Sequence, residues 1–243
     1  MPVTLCLDFG NTRLKYVVFH GDTIFTSGVL HDHSKQDLEP ILKEFGPDLS
    51  ILSSVVDHEN GLEDFLATRS RFHRLSHETR LPFRVTVGKP EEVGADRLAL
   101  AAAAVTFFPR KHNLVIGLGS AITYNFINQD HEFLGGSISP GMEMRFRSLH
   151  EHTAKLPLIK KDWILPLTGY DTRTNILSGV ILGMVAEIDG IINSYAVRYD
   201  NFNVVLTGGD CTYFARHLKN RIFADPDFLF KGLYALSETN NHL

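Results

Sequence analysis

Residues 3–19 read Val3-Thr4-Leu5-Cys6-Leu7-Asp8-Phe9-Gly10-Asn11-Thr12-Arg13-Leu14-Lys15-Tyr16-Val17-Val18-Phe19. Two β-rich runs, 3–7 and 14–19, flank a polar turn, and Gly21-Asp22 marks a further turn before Ile24 and Phe25. This predicts a meander of three antiparallel strands with a carboxylate at the end of the first. The arrangement returns later in the chain. Leu114 to Ile116 is a short apolar run, Gly117-Leu118-Gly119-Ser120 is a turn, and Ile122 to Ile127 is a second run. Another turn follows at Asn128 to His131, with a further strand starting at Phe133. One unit used twice is the simplest reading, with the boundary near residue 110 and domains of 1–110 and 111–243.

The rest of the chain alternates in the same α/β manner. Apolar spacing predicts helices over 38–45, 60–67, 91–108, 174–199 and 229–236. Buried strands are expected at 49–56 and 204–206, a basic polar loop at 69–84, and a glycine-rich passage at 135–141. The chain has 243 residues, 44% of them hydrophobic and 21% charged, enough for a sizeable core. Net charge is 24 minus 28, or -4, which argues against a general nucleic-acid binder. Two cysteines, Cys6 and Cys211, make no disulfide framework and suit a reducing cytoplasm. The longest apolar run, Leu98 to Val105, is far shorter than the roughly 20 residues of a membrane span, and the first residues lack a basic leader. A soluble, cytoplasmic protein is expected.

Three constellations carry chemistry. In the first turn, Gly10 lets the backbone approach a ligand, and Asn11, Thr12, Arg13 and Lys15 add polar and cationic donors. Such a turn can cradle a phosphate, and Asp8 could hold a Mg2+ ion on phosphate oxygens, directly or through water. Read alone, it is also what a ligand-free polar hairpin looks like. The second is the turn at Gly117 to Ser120, joined by Thr207-Gly208-Gly209-Asp210 after a buried strand; each taken singly is also an ordinary turn. Two turns facing each other could grip a nucleotide. The third is Glu91-Glu92-Val93-Gly94-Ala95-Asp96-Arg97, where a helix should begin. Asp96 suits accepting a proton from a hydroxyl and Arg97 binding an anion, although an acid there also favours the helix dipole. His31-Asp32-His33 and His150-Glu151-His152 lack further ligands at metal-site spacing and read as solvated surface.

Taken together, five pieces resemble the type III pantothenate kinases over essentially the whole chain. They are Asp8-x-Gly10-Asn11-Thr12-Arg13, Pro90 through Arg97, Gly136-x-Ile138-x-Pro140-Gly141, Thr172 seven residues before Gly179, and Thr207-Gly208-Gly209. The resemblance implies two ribonuclease-H-like domains of the acetate and sugar kinase, Hsc70 and actin superfamily, flanking a nucleotide cleft. It implies ATP-dependent phosphorylation of pantothenate at its primary alcohol, to 4'-phosphopantothenate, opening coenzyme A synthesis. Carried over residue by residue, Asp8 to Lys15 form the first phosphate loop and Asp96 is the general base. Gly94, Ala95, Asp96 and Arg97 contact pantothenate, Arg97 through its carboxylate. Gly119 and Ser120 contact ATP, with Ser120 standing for a threonine, and Gly208 and Gly209 form the adenosine-side turn. Thr172 matches a substrate contact made from the neighbouring subunit, so a homodimer is implied.

Two departures stand out. The family's second loop begins with an aspartate that binds a monovalent cation, usually potassium, and this chain has Gly117 there. A tyrosine often precedes the Pro-Glu-Glu segment, where this chain has Val87. The expectation is a kinase without the usual potassium carboxylate. The alternative is a catalytically weakened relative acting as a regulatory or interaction protein.

Overall fold

The structure, a computed structural model, describes residues 1–240. The fold is mixed α/β and separates into two compact units. The first takes Met1–Lys111, Asn125–Gly135 and the segment from Asp227 onward, and the second takes His112–Tyr124 and Gly136–Pro226.

In the first unit, β1 (Val3–Phe9), β2 (Leu14–His20) and β3 (Thr23–Leu30) form the expected antiparallel meander. β4 (Leu49–Ser54) adds in parallel to β1, placing Ser53 opposite Asp8, and with β5 (Arg71–Arg74) the sheet order is β3-β2-β1-β4-β5. β1 is central and covered on both faces, which is why Leu5, Cys6, Leu7 and Phe9 are all buried. Leu38, Ile41 and Leu42 of α1 (Lys35–Phe45) and Leu62 and Leu66 of α2 (Leu62–Ala67) join that core. Ser34 caps α1 by accepting from the Asp37 N–H, and Gly46 ends it in the left-handed region at φ 50°.

Two sequence expectations in this unit need correction. The polar stretch 69–84 contains β5 (Arg71–Arg74), an edge strand parallel to β4. Its side chains are exposed or half-buried, so only backbone pairing marks it. The helix expected over 91–108 is shorter: Pro90–Glu92 is a 3-10 turn, Gly94 is the cap, and α3 runs Ala95–Phe107. The alanines of α3 let α7 (Phe228–Asn240) come close. A Cβ on Gly232 would stand 1.9 Å from the Ala99 carbonyl oxygen, so the two backbones touch there.

The second sheet runs β11-β10-β7-β8-β9-β6, with the two-residue strands β6 (Arg84–Val85) and β11 (Phe223–Ala224) at its edges. β7 (Asn113–Leu118) and β10 (Asn203–Thr207) pair in parallel with Gly117 opposite Thr207. β8 (Ala121–Ile127) and β9 (Glu132–Pro140) each pass from one unit to the other along their length. β9 absorbs most of the glycine-rich passage at 135–141. α4 (Met142–Glu151) went unsignalled in the sequence because it buries only Met142 and Phe146. α5 (Thr172–Ala196) is capped by an Asp171–Thr174 capping box. It is long and apolar enough to cross a membrane by composition. Its Ile, Leu, Val and Met residues lie almost wholly inside, however, while Gly179, Gly183, Ala186 and Gly190 face outward, the pattern of a core helix.

Candidate active site

In the first unit the carboxylates of Asp8 and Asp96 come into one electrostatic neighbourhood. The Gly10 N–H donates to the Arg13 carbonyl at 3.1 Å, closing the turn, and Asn11, Thr12 and Arg13 are exposed on it. Asp8 is half-buried at the end of β1, its Oδ1 accepting from the buried Ser53 hydroxyl at 3.3 Å. Lys15 is its partner across the β1–β2 ladder. Burial, and then the charge of Asp96, push the Asp8 carboxyl up to about 6, against the opposing pull of Lys15 and Ser53.

Asp96 is the second residue of α3. Its carboxylate accepts from its own N–H and that of Arg97, at the positive end of the helix. Burial outweighs these bonds and holds its carboxyl above the ordinary value. Gly94 makes room for this: a Cβ there would meet Asp96 Oδ1 at 2.6 Å. Arg97 leaves the helix sideways. Its Nε donates to Asn125 Oδ1 at 2.6 Å, and its guanidinium stands 5.5 Å from the centroid of the Phe133 ring. Asn125 and Phe133 are buried and neutral, so they orient the guanidinium without cancelling its charge.

The second unit repeats the turn. The Gly119 N–H donates to the Ala121 carbonyl at 3.0 Å, as Gly10 does to Arg13. Backbone presses on this loop from two sides. A Cβ on Gly141 would meet the carbonyl oxygens of Gly119 at 2.3 Å and Ser120 at 2.5 Å. Gly208, at φ +96°, would bring one within 2.4 Å of the Leu118 oxygen. Gly141 is itself buttressed. Arg145 Nε donates to the Pro140 carbonyl and Nη2 to the Ser139 hydroxyl, both at 2.8 Å, while Arg145 pairs with Glu187 and Tyr124 donates to Glu187 Oε1 at 2.9 Å. Gly209 is exposed, and Thr172 stands exposed at the first residue of α5. Gly141→Ala is therefore expected to distort the second loop, at about 1–3 kcal/mol of stability. A thermal melt checks it.

Sequence reading missed Ser53 and Asn125. Asn125 did leave a signal, as a polar residue inside the apolar run Ile122 to Ile127. Ser53 left none beyond ending such a run.

A strand–glycine turn–strand unit used twice, each leading on to further strands and helices, is the two-domain ribonuclease-H-like α/β fold. Solved structures share this fold. A Campylobacter jejuni protein described as a conserved Baf family transcriptional activator aligns with TM-score 0.63 at 21% identity, over 98% of this chain and 100% of its own. A ROK family protein from Streptococcus pneumoniae, in complex with sucrose, aligns with TM-score 0.52 at 11% identity, over 99% and 98%. The profile of the type III pantothenate kinases matches residues 4–194. The type III pantothenate kinase of Flavobacterium johnsoniae is 40% identical over 234 residues, 94% of this chain and 95% of that protein. This chain belongs to the type III pantothenate kinase family, ATP-using enzymes that phosphorylate pantothenate in coenzyme A biosynthesis.

Proposed function

We propose that this chain transfers the γ-phosphoryl group of ATP to the primary alcohol of pantothenate, with Asp96 as the general base. The observation that carries this is the placement of Asp96: pinned at the start of α3, raised in pKa by burial, beside Asp8 and followed at once by Arg97. Phosphoryl transfer mainly needs alignment and neutralised charge, and each residue's chemistry suits one part of that task. Asp96 takes the hydroxyl proton on its carboxylate. Arg97, oriented by Asn125, holds the pantothenate carboxylate, with Gly94 and Ala95 lining the same site. Gly10 to Lys15 and the loop at Gly119 and Ser120 take the phosphates, and Gly208 and Gly209 the adenosine side.

The Asp8 site fits a divalent ion such as Mg2+. Its carboxylate is crowded by a second one and raised in pKa, a strain that a cation relieves. Among the described residues no three or more His, Cys, Asp or Glu are arranged to hold a metal ion by themselves, so phosphate and water oxygens would complete the shell, as suits Mg2+. A bound Mg2+ would supply charge neutralisation on the phosphates. Position 117 does not fit a monovalent cation, because glycine offers no side-chain oxygen there. Potassium titrated at constant ionic strength is expected to change turnover by less than about two-fold; a saturable activation of roughly ten-fold or more would overturn that.

The exposed Thr172 suits a substrate contact made from the neighbouring subunit of a homodimer, and the family's metabolic role suits the cytoplasm. Purified protein with ATP, Mg2+ and pantothenate should form phosphopantothenate, and absence of turnover under every cation condition would sink the proposal.

A further inference from the structure

Trp163 is the single tryptophan of the chain, and 59% of its surface is exposed. Tryptophan is highly buried on average, so an indole held this open invites an account. It lies in the stretch 152–171 between α4 and α5, which carries no helix or strand. Stretches of that length inside a compact unit are usually either functional or disordered.

This one is not loose. The Tyr213 hydroxyl donates to the Asp162 carbonyl at 2.5 Å, and the Tyr213 ring packs on Trp163 with centroids 4.8 Å apart. The Arg216 guanidinium stands 5.0 Å from the Trp163 centroid. Lys161 Nζ reaches Asp210 Oδ1 at 2.6 Å and stands 5.6 Å from the Tyr213 ring. Each anchor comes from residues 210–216, the segment that leaves the Gly208-Gly209 turn, and Asp210 is the residue directly after it. The indole is thus fixed within side-chain reach of a turn whose glycines bring backbone against the second loop.

We propose that Trp163, backed by Arg216, is the stacking platform for the purine base of the nucleotide. The inference rests on the reading of the chain as an ATP-dependent kinase and extends it to the base. A flat aromatic ring beside a guanidinium presents a π-face and a diffuse positive charge, the surface on which nucleobases stack. On that reading the loops at Gly10 to Lys15 and at Gly119 and Ser120 serve the phosphates, and the Gly208-Gly209 turn on the adenosine side has no side chain on which a base could stack. Arg216 also suits an anionic nucleotide better than an apolar partner, which would have to desolvate the guanidinium.

The lone tryptophan makes the test direct. Emission of the full-length protein is followed while Mg·ATP, Mg·ADP or Mg·tripolyphosphate is added. Both nucleotides should change it saturably, and tripolyphosphate, which has the phosphates and no base, should not. Trp163→Leu is expected to raise the KM for ATP about 5- to 100-fold, with the loss falling on that KM rather than on kcat or the KM for pantothenate. Trp163→Phe, which keeps a ring, should recover much of it and guards against a folding defect in the leucine variant. Emission that ignores ATP while turnover proceeds overturns the platform and leaves the kinase reading intact. So does emission that tracks protein concentration instead of nucleotide, which would make the indole a contact between copies. Absence of turnover with emission still responding to ATP would break the kinase reading and keep the platform.

Discussion

Asp96→Asn is expected to lower kcat by about 10²- to 10⁴-fold, the range for loss of a positioned general base. The substitution is nearly isosteric, so the packing above Gly94 survives, and an amide oxygen can still accept from the Arg97 N–H. What disappears is the ability to take a proton. The KM for ATP should stay near the wild-type value, because Asp96 belongs to the acceptor side of the reaction. The wild-type pH profile should match: Asp96 works only when ionised, and burial raises its pKa, so kcat/KM should fall on acidification at a higher pH than an ordinary aspartate would give. The mutant should lack that acid limb. Removing the Asp96 charge should also let the Asp8 carboxyl drop back toward the ordinary value, since that charge is part of what raises it. A loss of less than about ten-fold would mean that Asp96 only orients the alcohol.

How much of this was legible in the sequence depended on distance along the chain. The meander around Asp8 was readable because strand, turn and strand are contiguous and each has a local signature. The start of α3 was misplaced because Glu91 and Glu92 look like the acidic first turn of a helix. Gly94, read as an interior residue, is in fact the cap that clears space for Asp96. β5 was invisible because an exposed edge strand needs no apolar alternation. The partners of the two key side chains were out of reach for another reason. Ser53 lies 45 residues from Asp8 and Asn125 lies 28 from Arg97; sheet register brings the first pair together and a contact from helix α3 to strand β8 the second. No spacing rule expresses that. Gly141 illustrates the intermediate case: its presence in a motif was plain, and its task, admitting the backbone of the second loop, needed coordinates.

Asp8→Asn is expected to abolish turnover and yet make the protein more stable in the absence of nucleotide and divalent ions. The wild-type carboxyl is raised from 3.8 to about 6 in the folded chain, so folding at neutral pH must hold a charge in a place that disfavours it. By linkage that gap corresponds to about 3 kcal/mol as an upper figure. Well below the ordinary value of 3.8 the group is protonated whether folded or unfolded, and the penalty vanishes. It grows as pH rises through 4 to 6 and is complete above that. An asparagine can still accept the Ser53 hydroxyl and carries no charge to repel Asp96. At pH 7.5 in chelator the variant should therefore melt several degrees above wild type, by roughly 2–4 °C per kcal/mol at this chain length, and the difference should shrink toward pH 5. Adding Mg·ATP should reverse the order, stabilising wild type far more than the variant, because the carboxylate that costs stability empty is the one proposed to meet the cation. An asparagine variant that melts at or below wild type at pH 7.5 would show that Asp8 is not held under strain, and with it would go the main structural argument for a divalent ion at this position.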